Sequence, residues 1–74
     1  MIRLSYGQRQ WLISEIVCQY RTATDFARLH RFSTDTIGKL TQGGRLLIST
    51  VDRALRVLGI DRHEFFAADL MEVA

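Results

Sequence analysis

Apolar residues recur along this chain at helical intervals, in short blocks set off by polar caps and glycines. The first block, about Tyr6 to Tyr20, carries Leu12, Ile13, Ile16, Val17 and Tyr20 at i, i+1, i+4, i+5 and i+8. That spacing predicts a helix with a wide buried face. Gln8, Arg9, Gln19 and Arg21 fall off the stripe and are expected in water, while Trp11 borders it as part of the core rim. Cys18 lies within the same pattern, where a free cysteine behaves as a small buried hydrophobe.

Residues 22–44, TATDFARLHRFSTDTIGKLTQGG, read as two short helices joined by a tight corner. Thr22 caps the first, with Asp25 three positions on completing a capping box. The first helix, about Thr24 to His30, buries Phe26, Ala27 and either Leu29 or His30. Alanine at 27 allows two helices to cross closely without loss of helix propensity. Arg31 and Phe32 make the corner, with Phe32 turned inward. Ser33 caps the second helix and Gly43-Gly44 end it. On that second helix Ile37 and Leu40 point inward at i, i+3, which leaves Thr34, Asp35, Thr36 and Lys39 outside. So short a helix is not stable alone and must be packed against neighbours. Its outward face is small and polar, and cationic at one edge. Such a face fits a duplex major groove, where short side chains reach base edges.

Beyond the glycines, Arg45-Leu46-Leu47-Ile48 is compatible with a short β-like or extended segment, but reads better as a loop anchored to the core by Ile48. The next helix opens with Ser49 as N-cap and Asp52 three positions on, a second capping box. Val51, Ala54, Leu55 and Leu58 then follow at i, i+3, i+4 and i+7, with Gly59 as the stop. Asp61 and Glu64 repeat the box before Phe65-Phe66-Ala67-Ala68-Asp69-Leu70, and the tail Met71 to Ala74 is expected to fray. The prediction is an all-α domain of five short helices and no convincing strand.

Seventy-four residues allow one domain, and 47% apolar content is enough for a small core. No apolar run approaches a membrane span, and the N-terminus lacks the apolar segment of a secretion signal, so a cytoplasmic protein is expected. The single Cys18 rules out an internal disulfide. Net charge is only +2, but it is unevenly placed. Residues 1–60 hold nine Arg or Lys against four acids, while residues 61–74 hold Arg62 against Asp61, Glu64, Asp69 and Glu72. A basic body suits a polyanion. His30 has no second ligand at metal spacing and reads as a packing residue. His30 and His63 stand apart from any nucleophile, and Gly43-Gly44 follow a helix rather than a strand, so neither catalysis nor a cofactor is expected.

The ordered features resemble the Cro/Xre-type helix-turn-helix regulators of bacteria and phages. The resemblance is carried by Phe26-Ala27, Phe32-Ser33, Ile37, Leu40, Gly43, Ser49-Thr50-Val51, Leu55 and Leu58-Gly59-Ile60, across roughly residues 22–66. The family usually has glycine at the corner, where this chain has Arg31. It also often has an acid just before the glycine that ends the second helix of the pair, where this chain has Thr41-Gln42. The resemblance implies a lambda-repressor-like fold in which the helix after Ser33 reads DNA. Ser33, Thr34, Asp35, Thr36 and Lys39 would face bases: Lys39 toward guanine, Asp35 toward cytosine N4, the threonines toward a thymine methyl or a phosphate. Thr22, Thr24, Arg28, Gln42 and Arg45 would meet phosphates. A monomer reads too few base pairs, so a homodimer on a pseudo-palindrome is implied. The last helix offers Phe65, Leu70 and Met71 as dimer surface, with Phe66 closing the core.

Two function classes follow. One is a sequence-specific DNA-binding regulator, a repressor of a phage or other mobile element. The other is a protein-interaction module on the same fold: an antirepressor, an antitoxin, or a small inhibitor of a nucleic-acid-binding protein. Arg31, Asp35 and the modest charge favour the second, and the basic body favours the first.

Overall fold

The computed structural model describes residues 1–73, with side-chain surroundings through Ala67. Five helices dominate: α1 (Tyr6–Tyr20), α2 (Ala23–His30), α3 (Thr34–Gln42), α4 (Ile48–Leu58) and α5 (Arg62–Val73). The mostly helical expectation is met, with one addition. Two short strands, β1 (Ile2–Arg3) and β2 (Arg45–Leu46), pair antiparallel in the register Ile2↔Leu46 and Arg3↔Arg45.

Helix α1 is the central element and packs against α2, α3, α4 and α5. Ser5 caps it reciprocally: the Gln8 N–H donates to Ser5 Oγ (3.1 Å) and the Ser5 N–H to Gln8 Oε1 (2.8 Å). Gln8 Nε2 then donates to the Phe65 carbonyl at 3.4 Å. Gln8 is therefore buried, not wet, because its amide serves both the cap and the backbone of α5. The inward edge of α1 is narrower than the apolar stripe suggests: Gln8, Leu12 and Ile16 are buried and Tyr20 half-buried, each four residues from the last. Val17 and Cys18 lie on the opposite side and are exposed, which corrects their expected burial.

Leu46, opposite Ile2, turns its side chain into the core, as the alternation of a strand requires. It supplies the anchor expected of Ile48, which is exposed along with Leu47. The α4 helix starts directly from β2, with Leu47 at the cap position and no side-chain cap bond. Ser49 thus falls inside the first turn, and no Ser49–Asp52 box forms; Asp52 instead meets Arg62 at 3.1 Å. Val51, Ala54, Leu55 and Leu58 are buried as their spacing demands, and Gly59 ends the helix in the left-handed conformation (φ 76°, ψ 26°). Asp61 Oδ1 accepts from the His63 N–H (2.9 Å) ahead of α5. No hydrogen bond returns from Glu64 to close the box. Phe65, fully buried against Trp11 (5.5 Å between ring centroids), closes the core, and Phe66 is only half-buried.

Candidate nucleic-acid interface

The α2–α3 pair is held at both ends of its corner. Thr22 Oγ1 accepts from the Asp25 N–H at 3.1 Å, so the cap is real, but no bond returns from Asp25 and the box is half made. Phe26 is fully buried, Ala27 is half-buried, and Leu29 points to solvent. Of the two candidates it is His30 that packs, its Nε2 2.9 Å from the Tyr20 hydroxyl.

Arg31 occupies the left-handed region (φ 58°, ψ 42°), the conformation for which glycine is usual. Its N–H and that of Phe32 both close onto the Ala27 carbonyl. This places Phe32 in the core, stacked on Phe26 at 5.2 Å. The Arg53 guanidinium also lies over Phe32, 4.1 Å from the ring centroid, with Nη1 3.4 Å from the His30 carbonyl oxygen. A cation over an aromatic face, bonded also to the last carbonyl of α2, favours one corner geometry. Arg53 carries no sequence signal for this role, because its partners lie more than 20 residues away.

Ser33 Oγ accepts from the Thr36 N–H (3.1 Å) and donates to Thr36 Oγ1 (2.9 Å). Two of the five proposed base readers, Ser33 and Thr36, therefore already satisfy each other in the cap. Thr34 and Asp35 are exposed, and Asp35 Oδ2 is 3.1 Å from Lys39 Nζ one turn along. The two side chains are 77% and 39% exposed, so the pair sits in water and is easily opened by a competing partner. Ile37 and Leu40 are buried beneath. Gly38 lies between Thr34 and Lys39 on the outward side, and a Cβ there would meet nothing within 4 Å.

At the far end of α3, Arg9 Nη1 donates to the Gln42 carbonyl at 2.9 Å. This corrects the expectation that Arg9 is simply wet: it is half-buried, and its Nε is buried without a partner. Gly43 and Gly44 have φ of 112° and 142°, and a Cβ on Gly44 would stand 2.8 Å from Lys39 Cγ. Glycine at 44 thus lets the chain pass close under the Lys39 stem. The proposed phosphate contacts Thr22, Thr24, Arg28, Gln42 and Arg45 are all exposed, though the Thr22 hydroxyl is committed to its cap.

As for the dimer surface, Phe65 is fully buried within the chain and cannot serve, because it fills the core beneath Trp11. The side chains of Leu70 and Met71 lie outside the described residues. Among the described residues, no three His, Cys, Asp or Glu side chains gather as metal ligands, and no helix is long and apolar enough to cross a membrane. Comparison with protein-family models, with characterised proteins and with solved structures finds no match to the chain.

Proposed function

We propose that this chain is a sequence-specific, duplex-DNA-binding regulator of the Cro/Xre helix-turn-helix kind, acting in the cytoplasm as a repressor for a mobile element. It works by binding alone, without catalysis or cofactor, and as a homodimer on a pseudo-palindromic site. One observation carries the reading. The corner at Arg31 is fixed from inside by Phe32 on Phe26 and from outside by Arg53, and α3 leaves it with Thr34, Asp35, Gly38 and Lys39 outward. A helix held that firmly by its inner face, and polar on its outer one, has the form a major groove admits. Lys39 donates to guanine O6 or N7 once its contact with Asp35 opens, and Asp35 then accepts from cytosine N4. Arg28, Arg45 and the α2 N-terminus at Thr24 take the backbone phosphates.

Selection from a random duplex pool, followed by anisotropy at two salt concentrations, tests this. A consensus sequence should emerge, bound more weakly at higher salt. The double variant Lys39→Ala/Arg45→Ala should lose that binding with helicity unchanged. Retained affinity in the double variant would remove α3 as the reading element.

A protein partner on the same fold is favoured by a separate feature, the adjacent exposed pair Leu47 (55%) and Ile48 (47%) at the start of α4. Absence of duplex binding at either salt, in a folded protein, would support that use instead.

A further inference from the structure

The two-residue ladder sets like charges face to face. Cross-strand partners project from the same side of a sheet, their Cβ atoms about 5 Å apart. Because Ile2 and Leu46 are the inward pair, Arg3 and Arg45 are the outward one, and both are exposed. Like charges in that position destabilise a ladder, and among the described residues no carboxylate is ion-paired with either arginine. The two ion pairs among the described residues, Lys39–Asp35 and Arg62–Asp52, involve neither arginine. The cations continue toward α3. Arg9 lies at the Gln42 carbonyl two residues before Gly44, and the Lys39 stem passes over Gly44 itself. Strand β2 follows at once, so Arg3, Arg9, Lys39 and Arg45 gather where α3 ends, with Asp35 the single acid paired among them.

We propose that Arg3 and Arg45 form a two-armed clamp for the backbone phosphates of duplex DNA, built by β1 closing on β2 beside the outward face of α3. The inference rests on the DNA-binding reading above and adds to it a residue distant from the helix pair. The ligand class follows from the chemistry. Two exposed guanidiniums held side by side repel until an anion sits between them, and phosphodiesters next to a helix lying in the groove supply a row of such anions. The contact is made to phosphate and carries no base preference.

The sign of the effect on folding distinguishes this role from a structural one. Arg3→Ala removes a repulsion, and Arg3→Glu replaces it with an attraction to Arg45. Both variants should melt at or above the wild-type temperature. Each should nevertheless bind duplex more weakly, by the same factor on a selected and on a scrambled sequence. The slope of log affinity against log salt should fall by about one unit for Arg3→Ala and by more for Arg3→Glu. Wild-type slope and affinity in both variants, alongside normal wild-type binding, would overturn the clamp and leave the recognition helix standing. Unfolding of either variant would also overturn it, since Arg3 would then be stabilising the ladder. If the wild-type protein binds no duplex at all, the DNA-binding reading fails and the clamp with it.

Discussion

Replacing Gly38 by alanine should make the protein more stable and a poorer DNA binder. Gly38 lies in the middle of α3, outside the set of glycines with positive φ, so its backbone suits any residue. A Cβ added there meets nothing within 4 Å. The folded state therefore gains no clash, while the unfolded chain loses the excess freedom of glycine. The propensity difference is about 1 kcal/mol in favour of alanine. For a domain of this size that is a rise in Tm of about 4–8 °C. Thermal melts followed by far-ultraviolet circular dichroism measure it directly. On the binding side, the new methyl stands on the outward face among Thr34, Asp35 and Lys39, where the groove floor would press. Overfilling a tight contact costs about 1–3 kcal/mol, a loss of affinity of about 5- to 150-fold. A lower Tm would show that a Cβ at Gly38 meets a neighbour in the folded protein. A higher Tm with undiminished duplex binding would show that this face of α3 does not enter the groove.

Gln8→Ala removes the acceptor for the Ser5 N–H and the donor to the Phe65 carbonyl, and should cost about 2 kcal/mol in urea denaturation. A loss below about 0.5 kcal/mol would mean that water replaces both bonds. Leu46→Ala should cost about 2–4 kcal/mol and Ile48→Ala under about 0.5, because Leu46 is 4% exposed and Ile48 47%. The opposite order would reinstate Ile48 as the anchor. Cys18 should react with a thiol reagent at nearly the same rate in the native and urea-unfolded protein, since it is exposed on α1. Strong native protection would place it in an interface.

The helices were legible because their ends are chemically marked within a few residues. Ser33, Gly43 and Gly59 signal locally, and Ile37 with Leu40 could face only one way once α3 was capped. Phe32 was likewise predictable, since a corner residue flanked by polar neighbours has few places to put a phenyl ring. What escaped depends on contacts between distant segments. Gln8 reads as polar and wet because nothing near it in sequence announces the Phe65 carbonyl, 57 residues on. The β1–β2 ladder joins residues more than 40 apart, and without it Leu46 and Ile48 are indistinguishable as anchors. Phe65 and Phe66 are adjacent, and only the angle at which α5 meets Trp11 decides which is buried. In the candidate interface, residue types could be placed on the outer face of α3 but their mutual engagement could not. Ser33 with Thr36, and Asp35 with Lys39, are paired through side-chain geometry.

The central claim is that α3 meets DNA with its outward face. A titration of the isotope-labelled protein with a selected duplex, followed through backbone amide NMR shifts, tests it residue by residue. The amides of Thr34, Asp35, Gly38 and Lys39 should move most, with Thr24 and Arg45 next and Val17 and Cys18 unmoved. Shifts centred on Leu47 and Ile48 with α3 silent, or no shifts at all, would contradict the claim.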